Sequence, residues 1–265
     1  MRYLIGVWLF CQAFSAAAHP DPFPQTAQAY LVETNGAALW EKQAHRRLSP
    51  ASLTKLMTAL LVAEHQQPDA LVTVSPAAAK ETGSRIDIKA GETFRSADLL
   101  AAALIASAND ACHALADAVA GDQKRFVQLM NRRARELGMQ DTHFANACGH
   151  DAADHYSSAQ DLGLLAHEVL KHPAMLSLTS KIDTRITTQD GAHSYRFENK
   201  NELIGRYPGA FGLKSGYTAN AGKCLIAYAK RGEQRVLLVM LHGKNRWWDA
   251  VDMLDAAFEH ARRLP

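Results

Sequence analysis

The sequence has no dominant charge: 29 Lys and Arg stand against 27 Asp and Glu in 265 residues, a formal net charge of +2. With no basic arm and no acidic tail, it carries no electrostatic footprint for nucleic acid. Cysteine is scarce too, at positions 11, 112, 148 and 224. Cys11 falls in an N-terminal apolar run, which leaves Cys112, Cys148 and Cys224, an odd set. At most one disulfide can form among three thiols, so the chain is not a disulfide-built scaffold, and a hydrophobic core must carry the fold. There is no internal repeat and no low-complexity linker. After the N-terminal run no stretch reaches the roughly 20 apolar residues of a spanning helix.

The first residues, "MRYLIGVWLFCQAFSAAAHPDP", combine a positive charge at Arg2, an apolar run from Tyr3 to Cys11, and small residues Ala16 and Ala18 before His19. This is the three-part pattern of a secretory signal with a cut expected after Ala18. A retained anchor would need a longer run. Lipidation at Cys11 is disfavoured by the bulky Trp8, Leu9 and Phe10 before it. The expectation is a signal peptide over 1–18 and a single catalytic unit over 19–265, soluble in the periplasm or cell envelope. With 48% hydrophobic and 21% charged residues, that length suffices for a sizeable core.

Two β-like runs, "AQAYLVE" and "AALWEK", flank Thr34-Asn35-Gly36, a hairpin turn signal. Ser49-Pro50 then reads as a helix cap with a first-turn proline, followed by Leu53, Leu56, Met57, Leu60 and Leu61 at helical spacing. The alanine-rich middle predicts a helix from Ser96, one capped by Asn109 and ending at Gly121, one from Asp122 to Gly138, and one from Ala159 to Lys171 closed by Pro173. The polar loop "NACGHDAADHYSS" interrupts them. β patterns return in "SYRFEN", "GKCLIAYAKRG" and "EQRVLLVMLHG", and a final helical pattern carries Trp247, Val251, Leu254 and Phe258. Strands at both ends with helices between them predict an α+β fold: one antiparallel sheet flanked by helices, with an inserted helical subdomain.

Ser52 and Lys55 stand one turn apart at the start of the first helix. A serine hydroxyl becomes a nucleophile only when a base takes its proton, and an i, i+3 pair shares a helix face. For a lysine to act near neutral pH its pKa must fall by about 3 units, which requires a buried or cation-rich surrounding. Such a site should hold a second positive group. Ser-x-x-Lys alone recurs in many chains as a cap and a solvated lysine. Its company here is Ser107-Ala108-Asn109 between two helical patterns and Lys214-Ser215-Gly216 before a β pattern.

With these motifs and the flanks "ASLTKLMTALL", "GSRIDIKAGE", "SANDACHALAD", "MNRRARELGM", "YSSAQDL" and "GLKSGYTANAGKCLIAYA", the chain resembles the low-molecular-mass penicillin-binding serine D,D-carboxypeptidases. The likeness covers nearly all of the sequence after residue 18. It implies a β-lactamase/transpeptidase-like fold and removal of the terminal D-alanine from peptidoglycan stem peptides through an acyl-enzyme at Ser52, with β-lactams as acylating inhibitors. It implies further that Lys55 is the general base, that Ser107 relays the proton to the leaving amine, and that Asn109 holds Lys55 and the substrate backbone. Lys214 and Ser215 would bind the substrate carboxylate, Gly216 would admit the substrate, and the backbone N–H groups of Ser52 and Tyr217 would form the oxyanion hole. No cofactor or metal is implied.

Several departures from the pattern stand out. Ser215 replaces a commoner threonine, Lys200 stands where an arginine is frequent, "NACGHD" lacks the usual Pro and Leu around Gly149, and the chain stops soon after the catalytic unit. Lysine keeps the charge but loses the bidentate fork. No Glu-x-x-Leu-Asn segment is present, so a class A β-lactamase with fast penicillin turnover is not expected. A D,D-endopeptidase cutting crosslinks is the near alternative, because it breaks the same bond type. A non-catalytic peptidoglycan-binding protein is the distant one, and it would lack one of the motif side chains. Three other features have bland readings. His143, His150, Asp151, Asp154 and His155 crowd one segment as conceivable zinc ligands, without helix-fixed spacing or a thiolate pair. Cys112 reads as a small buried residue. Of Trp247 and Trp248, one is expected in the core and one at the surface.

Overall fold

Near-continuous apolar runs over 224–229 and 236–241 of the C-terminal strands dictate a sheet buried on both faces, and that sheet organises the molecule. A computed structural model describes residues 21–263. The expected signal peptide, Cys11 included, lies outside the described residues. In chain order the strands and α-helices are β1 (Ala27–Thr34), β2 (Ala37–Lys42), α1 (Lys55–His65), β3 (Leu71–Thr73), β4 (Thr93–Arg95), α2 (Ser96–Ile105), α3 (Asn109–Ala120), α4 (Gln123–Glu136), α5 (Ala159–Leu170), α6 (Pro173–Thr179), β5 (Asp183–Thr187), β6 (Ser194–Glu198), β7 (Ala210–Thr218), β8 (Gly222–Arg231), β9 (Gln234–Gly243) and α7 (Arg246–Arg263).

The main sheet has the order β2-β1-β9-β8-β7, and every neighbouring pair is antiparallel. Period-2 alternation sorts its side chains. Tyr30, Val32, Leu225, Ala227, Leu238 and Met240 face α7, where they meet Ala250, Met253, Leu254 and Phe258. Leu31, Ile226, Leu237, Val239 and Leu241 face the other way, into the larger core with α1, α2, α3 and α5. Leu53, Leu56, Met57 and Leu60 are all fully buried there. At about 1.5–3 kcal/mol each, these side chains anchor the segment that carries Ser52 and Lys55. Two short two-stranded antiparallel sheets, β3–β4 and β5–β6, complete the α+β architecture expected of the sequence.

The Asn35-Gly36 turn has positive φ at both residues (52° and 85°), the twist that joins β1 to β2. Asp122 accepts from the backbone N–H of Arg125 at 2.8 Å, capping α4 as expected. Other local expectations fail. Ser49 does not cap a helix: its hydroxyl donates to Asp151 at 3.2 Å, and α1 is preceded by a 3-10 turn, Ala51–Thr54. Asn109 is the first residue of α3, not its cap, and its amide turns inward. Pro173 opens α6 at its first position, where the missing N–H has no partner to lose. Lys214-Ser215-Gly216 lies within β7, not ahead of it. Trp248 is 78% exposed, while Trp247 packs against the α7 side of the core.

Candidate active site

The 3-10 turn, α1, the start of α3, the loop before α5 and the edge strand β7 converge on one point. Ser52 sits in the 3-10 turn, one residue after Ala51, whose φ is +47°. Lys55, the first residue of α1, is fully buried. Its Nζ lies 3.1 Å from Ser52 Oγ, 2.6 Å from Asn109 Oδ1 and 2.6 Å from the backbone carbonyl of Cys148. Asn109 is held in turn: its Nδ2 donates to the Thr82 carbonyl at 2.5 Å and its N–H to the Ser84 carbonyl at 2.7 Å.

Lys214 reaches the cleft from β7, also fully buried, and donates to Ser107 Oγ at 2.9 Å and to the Ser215 carbonyl at 2.7 Å. Ser107 has φ +60° just ahead of α3, so its hydroxyl faces Lys214 rather than continuing the helix. Ser215 donates to the Lys200 carbonyl at 3.3 Å. Lys200 itself lines an open groove of about 650 Å³ with Ser84, Arg85, Ala106, Tyr195 and Arg196, next to Ser107. Gly216 lies flat against the nucleophile turn: a Cβ there would stand 2.9 Å from the Ser52 nitrogen. Tyr217 is 66% exposed at the rim. Of the eight residues singled out in the sequence, Ser52, Lys55, Asn109 and Gly216 thus meet at the nucleophile turn, Lys214 holds Ser107 beside Ser215, and Tyr217 follows on β7 with its side chain exposed.

Burial lowers the Lys55 ammonium from 10.5 to about 7, against the charges of Glu81 and Asp110, which act to raise it. Lys214 is held well below its ordinary value, first by burial and then by the charges of Lys55 and Arg246. The second lysine expected from the sequence is therefore present, but it is itself held well below its ordinary value and is not what lowers Lys55; desolvation is.

Four contributors escaped the sequence reading. Arg246, at the start of α7, donates from Nη1 to the Gly216 carbonyl at 2.7 Å, behind the strand that faces Ser52. Glu81 accepts from His113 at 2.6 Å and His150 at 2.9 Å. Cys148 supplies a carbonyl to Lys55 and is bonded to Cys112. His155 accepts the Ala145 N–H at Nδ1 (2.9 Å), which leaves its proton on Nε2 to be donated to Thr54 Oγ1 at 2.8 Å. The Thr54 hydroxyl in turn donates a hydrogen bond to the Ala51 carbonyl at 2.8 Å, bracing the residue before Ser52.

Burial pushes His155 from 6.5 down to about 4, chiefly by desolvation. The unfolded chain then binds more protons than the folded one between these values. The contribution is fully present above pH 6.5 and is lost as pH falls toward 4. His155→Gln is expected to flatten the pH dependence of unfolding free energy over that window by up to about 3 kcal/mol, measured by denaturant titration. An unchanged slope would remove the neutral-histidine brace.

The five conceivable zinc ligands are engaged elsewhere, two of them, His143 and Asp154, with each other. His155 serves Thr54, His150 meets Glu81, His143 meets the Asp154 carbonyl at 2.6 Å, and Asp151 accepts from Thr218 at 2.7 Å. Among the described residues, no group of three or more His, Cys, Asp or Glu is arranged to hold a metal ion. Cys112 is buried as expected, though as half of a disulfide and not as a free small residue.

A sequence model of the D-alanyl-D-alanine carboxypeptidase family matches residues 15–245. The D-alanyl-D-alanine carboxypeptidase DacF of Bacillus subtilis is 35% identical over 277 residues, covering 99% of this chain and 71% of that protein. Among solved structures, a D-alanyl-D-alanine carboxypeptidase from Mycobacterium tuberculosis superposes with a TM-score of 0.85 at 28% identity, covering 92% of this chain and 95% of its own. Penicillin-binding protein D2 of Listeria monocytogenes, in its ampicillin-bound form, superposes with a TM-score of 0.75 at 33% identity, covering 91% and 100%.

Proposed function

The chain belongs to the D-alanyl-D-alanine carboxypeptidase family and is a serine-type hydrolase of that class, and from that premise we propose how its residues divide the reaction. Ser52 Oγ attacks the carbonyl between the two terminal D-alanines of a peptidoglycan stem peptide while Lys55 takes its proton. The proton then passes by way of Ser107 and Lys214 to the departing amine, D-alanine leaves, and an ester joins the remaining peptide to Ser52. Water hydrolyses that ester and regenerates the hydroxyl. β-Lactams acylate the same oxygen and leave it slowly.

The observation that carries this reading is the fully buried Lys55, whose amine has two carbonyl acceptors at 2.6 Å and Ser52 Oγ at 3.1 Å. A neutral amine has two N–H groups and one lone pair. With both N–H groups engaged by Asn109 and Cys148, the lone pair is directed to the Ser52 hydroxyl, as a general base requires. The backbone N–H groups of Ser52 and Tyr217 serve the developing oxyanion, and the bare Gly216 allows β7 to lie this close to the nucleophile. Lys214 and Ser215 receive the substrate's terminal carboxylate.

The open groove beside Ser107 also leaves room for a branched donor, which favours crosslink cleavage as a second reading. An intrachain disulfide suits an oxidising compartment and supports export to the periplasm or cell envelope. Among the described residues no helix is long and apolar enough to cross a membrane.

The test is labelling with a fluorescent penicillin. The wild type is expected to form a covalent adduct and Ser52→Ala none; an unlabelled wild type would sink the acyl-enzyme. Release of D-alanine from a linear pentapeptide, compared with cleavage of a crosslinked dimer, then chooses between carboxypeptidase and endopeptidase.

A further inference from the structure

Lys55 is held by two carbonyl groups that belong to different parts of the chain. Asn109 opens α3, and Cys112 follows one turn later on the same helix. Cys148 lies 36 residues beyond Cys112, in the loop before α5, and the two form a disulfide with Cα atoms 6.0 Å apart. Next to Cys148, Gly149 lies so close to the nucleophile turn that a Cβ there would collide with the Ala51 carbonyl and stand 2.9 Å from the Ser52 nitrogen. One covalent bond therefore joins the two elements that supply both acceptors of Lys55, and it does so beside the nucleophile turn.

Among the loop's other contacts, His150 reaches α3 only indirectly, through the Glu81 that it shares with His113, and the disulfide is the direct tie. Asn146 gathers the N–H groups of Cys148, Gly149 and His150 on its Oδ1 at 3.2, 2.7 and 2.9 Å, which sets the loop's own shape. Thr58 donates to the Ala147 carbonyl at 2.6 Å and ties the loop to α1. His150 and Asp151, farther along, pair with Glu81 and with Thr218 across the cleft rim.

We propose that the Cys112–Cys148 disulfide is a positioning element for Lys55: it sets the spacing of Asn109 Oδ1 and the Cys148 carbonyl, keeping the amine dry and aimed at Ser52. Its reduction slows acylation. A dithiol reductant supplies two electrons and two protons, is itself oxidised to a disulfide, and leaves two cysteine thiols. A small disulfide oxidant reverses the exchange. This inference rests on the reading of Lys55 as the general base.

The direction of the effect follows from the groups that face Lys55. Lys214 comes from β7 with Arg246 behind it, Asp110 from α3, and Glu81 from the segment that meets His150. A loosened loop readmits water to Lys55 and draws His150 away from Glu81, and both changes favour the protonated ammonium.

The experiment measures acylation by a fluorescent penicillin against pH in a Cys224→Ala background, which removes the free buried thiol among the described residues. The protein is taken oxidised, reduced with dithiothreitol, and reoxidised with glutathione disulfide, alongside Cys112→Ala/Cys148→Ala. Reduction and the double substitution are each expected to move the acidic limb of the rate upward by at least about one pH unit, with at least about a tenfold loss below pH 7, restored on reoxidation. A bond that only stabilises the fold would lower the melting temperature and leave the limb in place, which would overturn the proposal. If instead Lys55→Ala keeps the wild-type rate and limb, the general-base reading fails. If Lys55→Ala is inactive while the reduced protein keeps its limb, the disulfide's positioning role alone fails.

Discussion

Lys55→Ala is expected to lower the penicillin acylation rate by about 10²- to 10⁴-fold, and Lys55→Arg to be no better. The arginine keeps a positive charge and hydrogen-bond donors beside Asn109, yet its guanidinium does not deprotonate in proteins, so it cannot take the Ser52 proton. A lysine that served only as a fixed charge would be rescued in part by arginine; full inactivity of both variants separates a base from a charge. The wild-type rate should rise roughly tenfold per pH unit below about 7 and level off above it, because burial lowers Lys55 to about 7. At its ordinary value only about one molecule in 3,000 would carry a neutral amine at pH 7. A stopped-flow pH profile that is flat between pH 5 and 8 would remove Lys55 from this role.

The second large effect is expected at Gly149, a residue that touches no substrate. It has φ +88°, and a Cβ there would collide with the Ala51 carbonyl and stand 2.9 Å from the Ser52 nitrogen. Ala51 is itself in the left-handed region at φ +47°, braced by Thr54 and His155, so the turn has little freedom to retreat. Gly149→Ala therefore combines a left-handed conformation costing about 1–2 kcal/mol with overpacking of about 1–3 kcal/mol. In a domain of this size that corresponds to a fall of about 5–15 °C in melting temperature, readable by scanning calorimetry. Acylation should fall further, by about 10²-fold or more, because the displaced N–H is the one we assign to the developing oxyanion. Gly36→Ala is the matched control: φ there is +85° but no atom lies within 4 Å of the added methyl. It should lose only the conformational part of the stability and none of the acylation rate. Equal acylation losses in the two variants would refute the steric argument at Ser52.

These two residues also show where sequence reading ends. Ser52 and Lys55 were legible because a helical register places i and i+3 on one face, and the hydrophobic pattern from Leu53 to Leu61 sets that register. Asn35-Gly36, the apolar stripe of α7 and the short apolar runs of β8 and β9 were legible for the same reason: each is a local pattern read against a single turn, helix or strand. Local rules misplaced Ser49 and Asn109, two residues with good capping chemistry. Their side chains found partners 102 and 54 positions away along the chain. By local rules Pro173 is a stop, because proline ends a helix, but its fixed φ equally well begins α6.

The sequence by itself determined the sheet-and-helix framework, the hydroxyl and amines of the three motifs, and the presence of a second lysine for the cleft. Tertiary structure alone decided why Lys55 titrates near 7. That value is set by how much water the packed fold removes, and desolvation is a property of neighbours that no local period encodes. It likewise decided which two of three cysteines join, since pairing depends on a Cα separation of 6.0 Å across 36 residues. The same long-range packing put His155, Arg246 and Gly149 in the service of a serine that none of them adjoins in the chain.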